Sequence, residues 1–312
     1  MKWPMYALRR YTGNSRTLAP LWRSSSVYWM KNSMQGSYLA KAGQFKHGFL
    51  YEKSEGIGWY RAASLQVPGL RHGFSTREGG VTTGRKASLN LHWDKDGCEA
   101  DVLENYRRFA RGAGIAYDDM VIVNHAHGAN VIQVDRLSRG RGFTLPPLPF
   151  CDGLITNDPA VAVVTSHADC GAFFFYDPEN RAVGMAHAGW KGTLLKIGLV
   201  MAEAMGRAYG TRPENLIAVA GPCICPKCFE VDADLGEEFA RAFDPAVMRP
   251  GRPGKAYVDL PLCAGLQFLQ AGILPEHITL MDACTYEDPE RFYSHRRDKG
   301  GTGSMAAYMQ LQ

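Results

Sequence analysis

Three short apolar runs, 160–165, 172–176 and 182–186, follow one another with little between them except Asp, Gly, Pro and Asn. Each is too short for a stable helix, is rich in Val, Phe and Ala, and is bounded by turn residues, so each reads as a buried strand. Strands this close in sequence must pair through tight turns. Other strands alternate with helical patterns. Apolar residues at 71–76, Met120–Val123, Asn130–Val134, Leu216–Ala220 and Ile278–Met281 read as strands. Between them, Glu99 to Gly112 places Val102, Leu103, Tyr106 and Phe109 on one helical face, and further helices are expected from Trp190 to about Tyr209, over 232–243 and over 259–271. The stretch 138–149, rich in Gly and Pro, reads as an exposed loop. Tight strand pairs mixed with strand–helix alternation favour an α+β fold, a single compact domain of layered mixed β-sheets flanked by helices, over a purely parallel α/β fold.

Charge divides the chain unevenly. Residues 1–51 carry eight Lys/Arg and no acid before Glu52, so the formal net charge of +4 leaves the remainder at −4. A mildly acidic body argues against a nucleic-acid footprint. The basic start resembles an organellar transit peptide in composition, but the preferred reading is an upstream extension with a start at Met30 or Met34. The expected organisation is a flexible basic extension over 1–55 and a catalytic domain over 56–312. No apolar run is long enough to span a bilayer, and no secretory signal pattern is present, so no membrane association is expected. Eight cysteines spread along the chain without a disulfide-scaffold pattern then read as reduced thiols of a cytoplasmic protein. A monomer is the default expectation.

Candidate chemistry begins with three separated residues: His127 in Asn124-His125-Ala126-His127-Gly128, Cys170 in Ser166-His167-Ala168-Asp169-Cys170, and His187 in Ala186-His187-Ala188-Gly189-Trp190. Each lies where an expected strand runs out. Two imidazoles and a thiolate can hold one Zn²⁺ per chain and leave its fourth position open, which is the pattern of a catalytic site. His125, His167 and Asp169 flank these ligands as candidates to fix ring tautomers or to move protons. The bland alternative is three packed, hydrogen-bonded side chains at strand ends. Copper is the less favoured metal. A multicopper centre needs on the order of ten His ligands, whereas the chain has nine His and one His-x-His pair, His125 and His127. A metal-free Cys–His hydrolase, with Cys170 as nucleophile and His187 as base, uses the same residues.

Two further features are weaker. Cys225-x-x-Cys228, in Gly221-Pro222-Cys223-Ile224-Cys225-Pro226-Lys227-Cys228, has no second Cys-x-x-Cys to complete a zinc knuckle. It reads as a tight Gly-Pro turn with incidental thiols. The helix start at Trp190-Lys191-Gly192-Thr193 suits an anion, with Lys191 beside it. Arg77 next to Gly79-Gly80, and Arg296-Arg297 near the Gly-rich 300–303 stretch, could add positive charge, with Arg77 and Arg297 the other phosphate candidates.

Several strings, in order, resemble the laccase-domain family of purine nucleoside phosphorylases, formerly called polyphenol oxidases. They are His72-Gly73-Phe74-Ser75-Thr76-Arg77-Glu78-Gly79-Gly80, Ser88-Leu89-Asn90-Leu91, Cys151-Asp152-Gly153-Leu154-Ile155-Thr156, Ala168-Asp169-Cys170, His187-Ala188-Gly189-Trp190-Lys191-Gly192-Thr193, Gly221-Pro222 through Val231, and Ser294-His295-Arg296-Arg297-Asp298. The resemblance spans roughly residues 56–310 and implies zinc on His127, Cys170 and His187. It also implies phosphorolysis of adenosine, inosine, guanosine and methylthioadenosine to base and sugar 1-phosphate, and deamination of adenosine. Under it, Cys170, His127, His187, Asp169 and His125 are the catalytic candidates, and Arg77, Asn90, Lys191 and Arg297 would hold substrate or phosphate. The chain departs from the family pattern at His125, His167, Cys223, Cys225 and Ser304. A non-catalytic nucleoside-binding protein is the remaining alternative.

Overall fold

The computed structural model describes residues 38–93 and 98–312. Two large mixed sheets lie face to face. The first has seven strands in the order β1 (Lys46–His47), β15 (Ile278–Leu280), β11 (Ile217–Ala220), β9 (Gly171–Asp177), β10 (Ala182–Ala188), β7 (Gly153–Thr156) and β6 (Val131–Gln133). The second has six, in the order β2 (Leu50–Ser54), β3 (Ile57–Arg61), β4 (Leu70–Ser75), β16 (Met305–Leu311), β8 (Ala162–His167) and β5 (Met120–Ile122). A small antiparallel sheet of β12 (Glu230–Asp232), β14 (Lys255–Val258) and β13 (Met248–Pro250) completes the set. Within the large sheets β1/β15, β11/β15, β6/β7 and β5/β8 are parallel and the other pairs antiparallel. The α+β reading therefore holds.

The three central apolar runs are β8, β9 and β10, and they show why their sequence is continuous rather than alternating. Every residue of β9 and β10 is buried. Phe174 and Val183 face one core, shared with the six-stranded sheet, while Phe173 and Phe175 face a second core with the helices Ile197–Tyr209 and Leu260–Gln270. A strand covered on both faces has no polar face to reveal its period. The helix Glu99–Ala113 covers the far side of the six-stranded sheet, where Phe109 meets Trp59 and Tyr308 at ring separations of 5.2 and 5.7 Å. The order is thus helix, sheet, sheet, helices. Among the described residues no helix is long and apolar enough to cross a membrane.

Three expectations are corrected. The boundary near residue 55 falls inside the fold, because β2 pairs along its whole length with β3 and Phe45 is buried in the second core. β2 is an exposed edge strand, so its sequence carries no apolar signal. The flexible extension otherwise concerns residues 1–37, which lie outside the described residues. The long helix from Trp190 is two helices, Trp190–Leu194 and Ile197–Tyr209, parted at Lys196, which takes a left-handed φ of 60°. Finally β16 was not anticipated. Its Met- and Ala-rich sequence favours helix locally, yet it fills the centre of the six-stranded sheet between β4 and β8.

Candidate active site

The segments that carry His127, Cys170 and His187 meet where strands of both large sheets end. β5 runs out into the 123–130 loop with His125 and His127. The chain leaves β8 at His167 and crosses through Ala168-Asp169-Cys170 into β9 of the other sheet. β10, with His187 opposite Ala172, ends at Ala188 beside the start of β9. His127 and Asp169 hold φ values of 54° and 85°. Non-glycine residues in this region carry backbone strain, which the surrounding contacts must hold in place.

Those contacts converge on Asp152, which is fully buried just before β7. Its carboxylate accepts hydrogen bonds from the backbone N–H groups of Ala126, His127 and Gly128 at 3.3, 3.0 and 2.7 Å. It also meets His187 Nδ1 at 3.0 Å. One side chain therefore folds the His127 loop and fixes the His187 ring, leaving Nε2 of His187 for a metal. Burial by itself raises the Asp152 carboxyl, but the hydrogen bonds from His187 and Gly128 outweigh it and hold its pKa below the ordinary value. His187 shows the converse. Burial lowers its pKa, but the Cys170 sulfur and the Asp152 carboxylate more than compensate and push it to about 9.

Three other imidazoles surround His187, with ring centroids at 4.2 Å for His125, 5.0 Å for His127 and 5.7 Å for His167. Burial, followed by the His187 charge, lowers all three pKa values. They are held neutral, as ligands and hydrogen-bonding groups must be.

The donor set fits a metal. One donor atom each from His127, Cys170 and His187 lies within 4.8 Å of the other two. A tetrahedral zinc with ligand bonds of about 2.0–2.3 Å places its donors roughly 3.3–3.8 Å apart. Gly189 leaves the room: a Cβ there would sit 3.3 Å from both Cys170 Sγ and His127 Nδ1. Gly192 lets the next helix close on the His127 loop, since its Cβ would lie 2.7 Å from the Gly128 carbonyl oxygen.

The trio opens into a cavity of about 580 Å³, within the range of small-molecule sites. Trp190, Ile224 and Phe229 line it with apolar surface, and His295 and Arg296 bring donors and positive charge. His125 also faces it, with a buried Nε2 that has no hydrogen-bond partner among the described residues. His125 is not one of the three mutually close donors, so it stands beside the metal set and not in it.

Several sequence-based assignments change. Arg77 does not line the cavity: its guanidinium donates to the carbonyls of Ala87, Pro289 and Arg85 and stacks 4.2 Å from the Tyr293 ring. Arg297 donates to the carbonyls of Thr285, Tyr286 and Phe292 and pairs with Asp298. Asn90 is buried, its amide oxygen accepting from the N–H groups of His92 and Ser304. All three are framework. His167 does not line the cavity either; it is buried between Thr165 Oγ1 at 2.7 Å and the Cys170 carbonyl at 3.2 Å. Asp169 reaches the cavity, but its carboxylate clasps Thr285 Oγ1, Ser294 Oγ and the Arg296 N–H at 2.7, 2.9 and 2.7 Å. Lys191 is exposed at the rim, near enough that its charge helps lower the His127 pKa. Asp152 and His295 were passed over as functional residues, whereas Arg296, read with Arg297 as a source of positive charge, does line the cavity. The signal for Asp152 was an acid placed immediately before an apolar strand.

Cys225 and Cys228 do not stand by themselves. Cys284 and Glu287 close on them, with one donor atom from each of the four within 4.8 Å of the rest. The missing half of that set lies some sixty residues downstream, where no spacing rule reaches it.

A family model described as multi-copper polyphenol oxidoreductase laccase matches residues 71–312. The chain is 32% identical over 262 residues to a purine nucleoside phosphorylase, YlmD, of Geobacillus stearothermophilus, covering 82% of this chain and 96% of that one. It is 36% identical over 256 residues to a purine nucleoside phosphorylase of Deinococcus radiodurans, covering 82% and 94%. The crystal structure of YlmD from Geobacillus stearothermophilus superposes with a TM-score of 0.79 at 31% identity, over 85% of this chain and 98% of that one. A hypothetical protein, YfiH, from Bacillus licheniformis superposes equally well, at 0.79 and 28% identity, over 84% and 99%.

Proposed function

The chain belongs to the multi-copper polyphenol oxidoreductase laccase family, and from that premise we propose that it is a zinc-dependent purine nucleoside phosphorylase with a second, adenosine deaminase activity. The observation that carries this reading is the convergence of His127, Cys170 and His187, oriented by Asp152, on one wall of a nucleoside-sized cavity. The relatives named above as purine nucleoside phosphorylases support the substrate class. Nine histidines with a single His-x-His pair do not furnish a multicopper centre. Zinc on these three residues would supply a Lewis acid facing the substrate.

The chain's own groups do the rest. Trp190 and Phe229 offer apolar faces for the purine, and Ser166, Thr302 and Ser304 offer hydroxyls for the ribose. Arg296 takes the phosphate role first assigned to Arg77. Among the described residues its guanidinium donates to the Glu230 carbonyl and lies 5.3 Å from the Phe229 ring, and its other N–H groups, with His295 on the same cavity wall, can hold an anion. In phosphorolysis the C1′–N9 bond breaks with its electron pair leaving on the purine, and a phosphate oxygen bonds to C1′. Neutral His125, with its unpaired Nε2, donates a hydrogen bond to the departing base. In deamination water adds at C6, one of its protons passes to the amino group, and that group leaves as ammonia, with His125 hydrogen-bonding to the purine as before. Adenosine, inosine, guanosine and methylthioadenosine share the purine and ribose features this cavity would recognise.

The test is the dependence of base release on phosphate. Inosine should yield hypoxanthine and ribose 1-phosphate when phosphate is supplied; free ribose, or equal release without phosphate, rejects the proposal. One observation favours a second reading. Cys170 beside a His187 with a pKa near 9 is also the pair of a thiol hydrolase. That reading requires activity that survives chelation, whereas the phosphorylase loses its activity when stripped.

A further inference from the structure

We propose that Cys225, Cys228, Cys284 and Glu287 form a second metal site, a closed structural zinc site that joins two loops forming the wall of the cavity. Three thiolates and a carboxylate give a four-donor set, one donor atom from each within 4.8 Å of the others. Tetrahedral zinc with sulfur ligands at about 2.3 Å spaces them roughly 3.8 Å apart, so small side-chain adjustments suffice. Four protein ligands leave no open position, which is the mark of a structural rather than catalytic site. Predominantly thiolate ligation selects zinc over magnesium or calcium.

The backbone holds the ligands in place independently of any ion. β11 and β15 are parallel neighbours, and beyond their ends the pairing continues as a bridge between Cys223 and Cys284. There the Cys223 N–H donates to the Ala283 carbonyl at 3.2 Å and the Thr285 N–H to the Cys223 carbonyl at 3.1 Å. Cys225-Pro226-Lys227-Cys228 forms a tight turn in which the N–H groups of Cys228 and Phe229 both donate to the Cys225 carbonyl at 3.0 Å. That turn brings both thiols to one side, facing Cys284. The Cys225 N–H already points at Cys284 Sγ, at 3.4 Å, the kind of donor that supports a coordinated thiolate.

The placement gives the site its role. The first loop supplies Ile224 and Phe229 to the cavity, and the second leads into the short helix His295–Asp298, which supplies His295 and Arg296. Both grip the segment that carries Cys170. The Ile224 N–H donates to the Asp169 carbonyl at 3.0 Å, and Thr285, Ser294 and Arg296 hold the Asp169 carboxylate. A metal joining Cys225 and Cys228 to Cys284 and Glu287 fixes the spacing of these loops and so positions the cavity wall without touching substrate.

The experiment counts metal on the full chain, purified without added chelator. We expect about two zinc ions per chain, one from each set of converging donors. Cys225→Ser/Cys228→Ser should retain about one, and Cys170→Ala should retain the other. Zinc content unchanged in Cys225→Ser/Cys228→Ser would overturn the proposal, as would a disulfide between any two of the three thiols in the wild-type protein. If the double variant does not fold, cobalt loading decides. Cobalt-loaded Cys170→Ala should show strong sulfur-to-cobalt charge-transfer absorption from the three remaining ligand thiolates, and its absence would refute the site. The Cys170→Ala arm reports on the second site alone, so its outcome stays separate from the fate of the first.

Discussion

Asp152→Asn tests whether one buried carboxylate organises the metal centre. The substitution keeps shape and removes charge. Asp152 Oδ1 faces His187 Nδ1 and the His127 N–H, and Oδ2 faces the N–H groups of Ala126 and Gly128. Whichever oxygen becomes the amide nitrogen, it then points an N–H at other donors. If it replaces Oδ1, His187 can restore a hydrogen bond only by moving its own proton to Nε2, the atom a metal needs. Losing such a partner costs about 10–100-fold in metal affinity, or roughly 1.4–2.7 kcal/mol. Protonation complicates the comparison at neutral pH. With a pKa of about 9, His187 in the metal-free protein binds a proton that metal must displace. Zinc affinity of the wild type should therefore rise by about tenfold per pH unit from this group as pH climbs towards 9, then level off. Asp152→Asn removes one of the causes that raise the His187 pKa, which partly masks its defect below pH 9. Zinc should therefore be titrated against a chromophoric chelator above pH 9, where that compensation has vanished. An affinity there within about twofold of the wild type, well short of the loss expected for an orienting carboxylate, would refute the role assigned to Asp152.

Other predictions follow from the same contacts. Gly189→Ala puts a methyl group 3.3 Å from Cys170 Sγ and His127 Nδ1; it should lower zinc occupancy while metal-free thermal stability changes little, and unchanged occupancy would mean the cradle is roomier than its geometry indicates. Arg296→Ala should raise the KM for phosphate by about tenfold, the loss of roughly one charge-assisted contact. Arg77→Ala should instead lower the melting temperature, since its partners are backbone carbonyls; a phosphate KM that responds only to Arg77 would reverse the assignment. His72 is buried, and burial and then the Arg61 charge lower its pKa to about 3. The unfolded chain binds a proton there below about pH 6.5 that the native state refuses, so its stabilising contribution is complete above pH 6.5 and falls by about 1.4 kcal/mol per unit until about pH 3. Urea unfolding at pH 7 and pH 5 should show the wild type losing about 2 kcal/mol more than His72→Gln; equal losses would contradict the shift.

The legible parts of this chain were those where local sequence and tertiary role agree. Doubly buried strands such as β9 and β10 announce themselves as unbroken apolar runs. The trio of His127, Cys170 and His187 was visible because each follows the end of an apolar run or closes one. β16 was hidden because its Met- and Ala-rich segment has no strand preference of its own and gains its conformation from β4 and β8, over two hundred and over one hundred residues away. Arg77 and Arg297 misled for a related reason. A guanidinium beside glycines suggests an anion, yet loops without regular hydrogen bonding also need donors for their carbonyls. Asp152 and the Cys284–Glu287 pair act across long sequence separations, where only the fold brings donors and acceptors together.

The proposed phosphorolysis at the His127/Cys170/His187 centre depends on the Cys170 thiolate. Its most direct test measures zinc content and phosphate-dependent inosine cleavage on the same preparation of Cys170→Ala. Zinc content should fall by about one ion per chain, with cleavage lost. Wild-type cleavage by a variant lacking that zinc would contradict it.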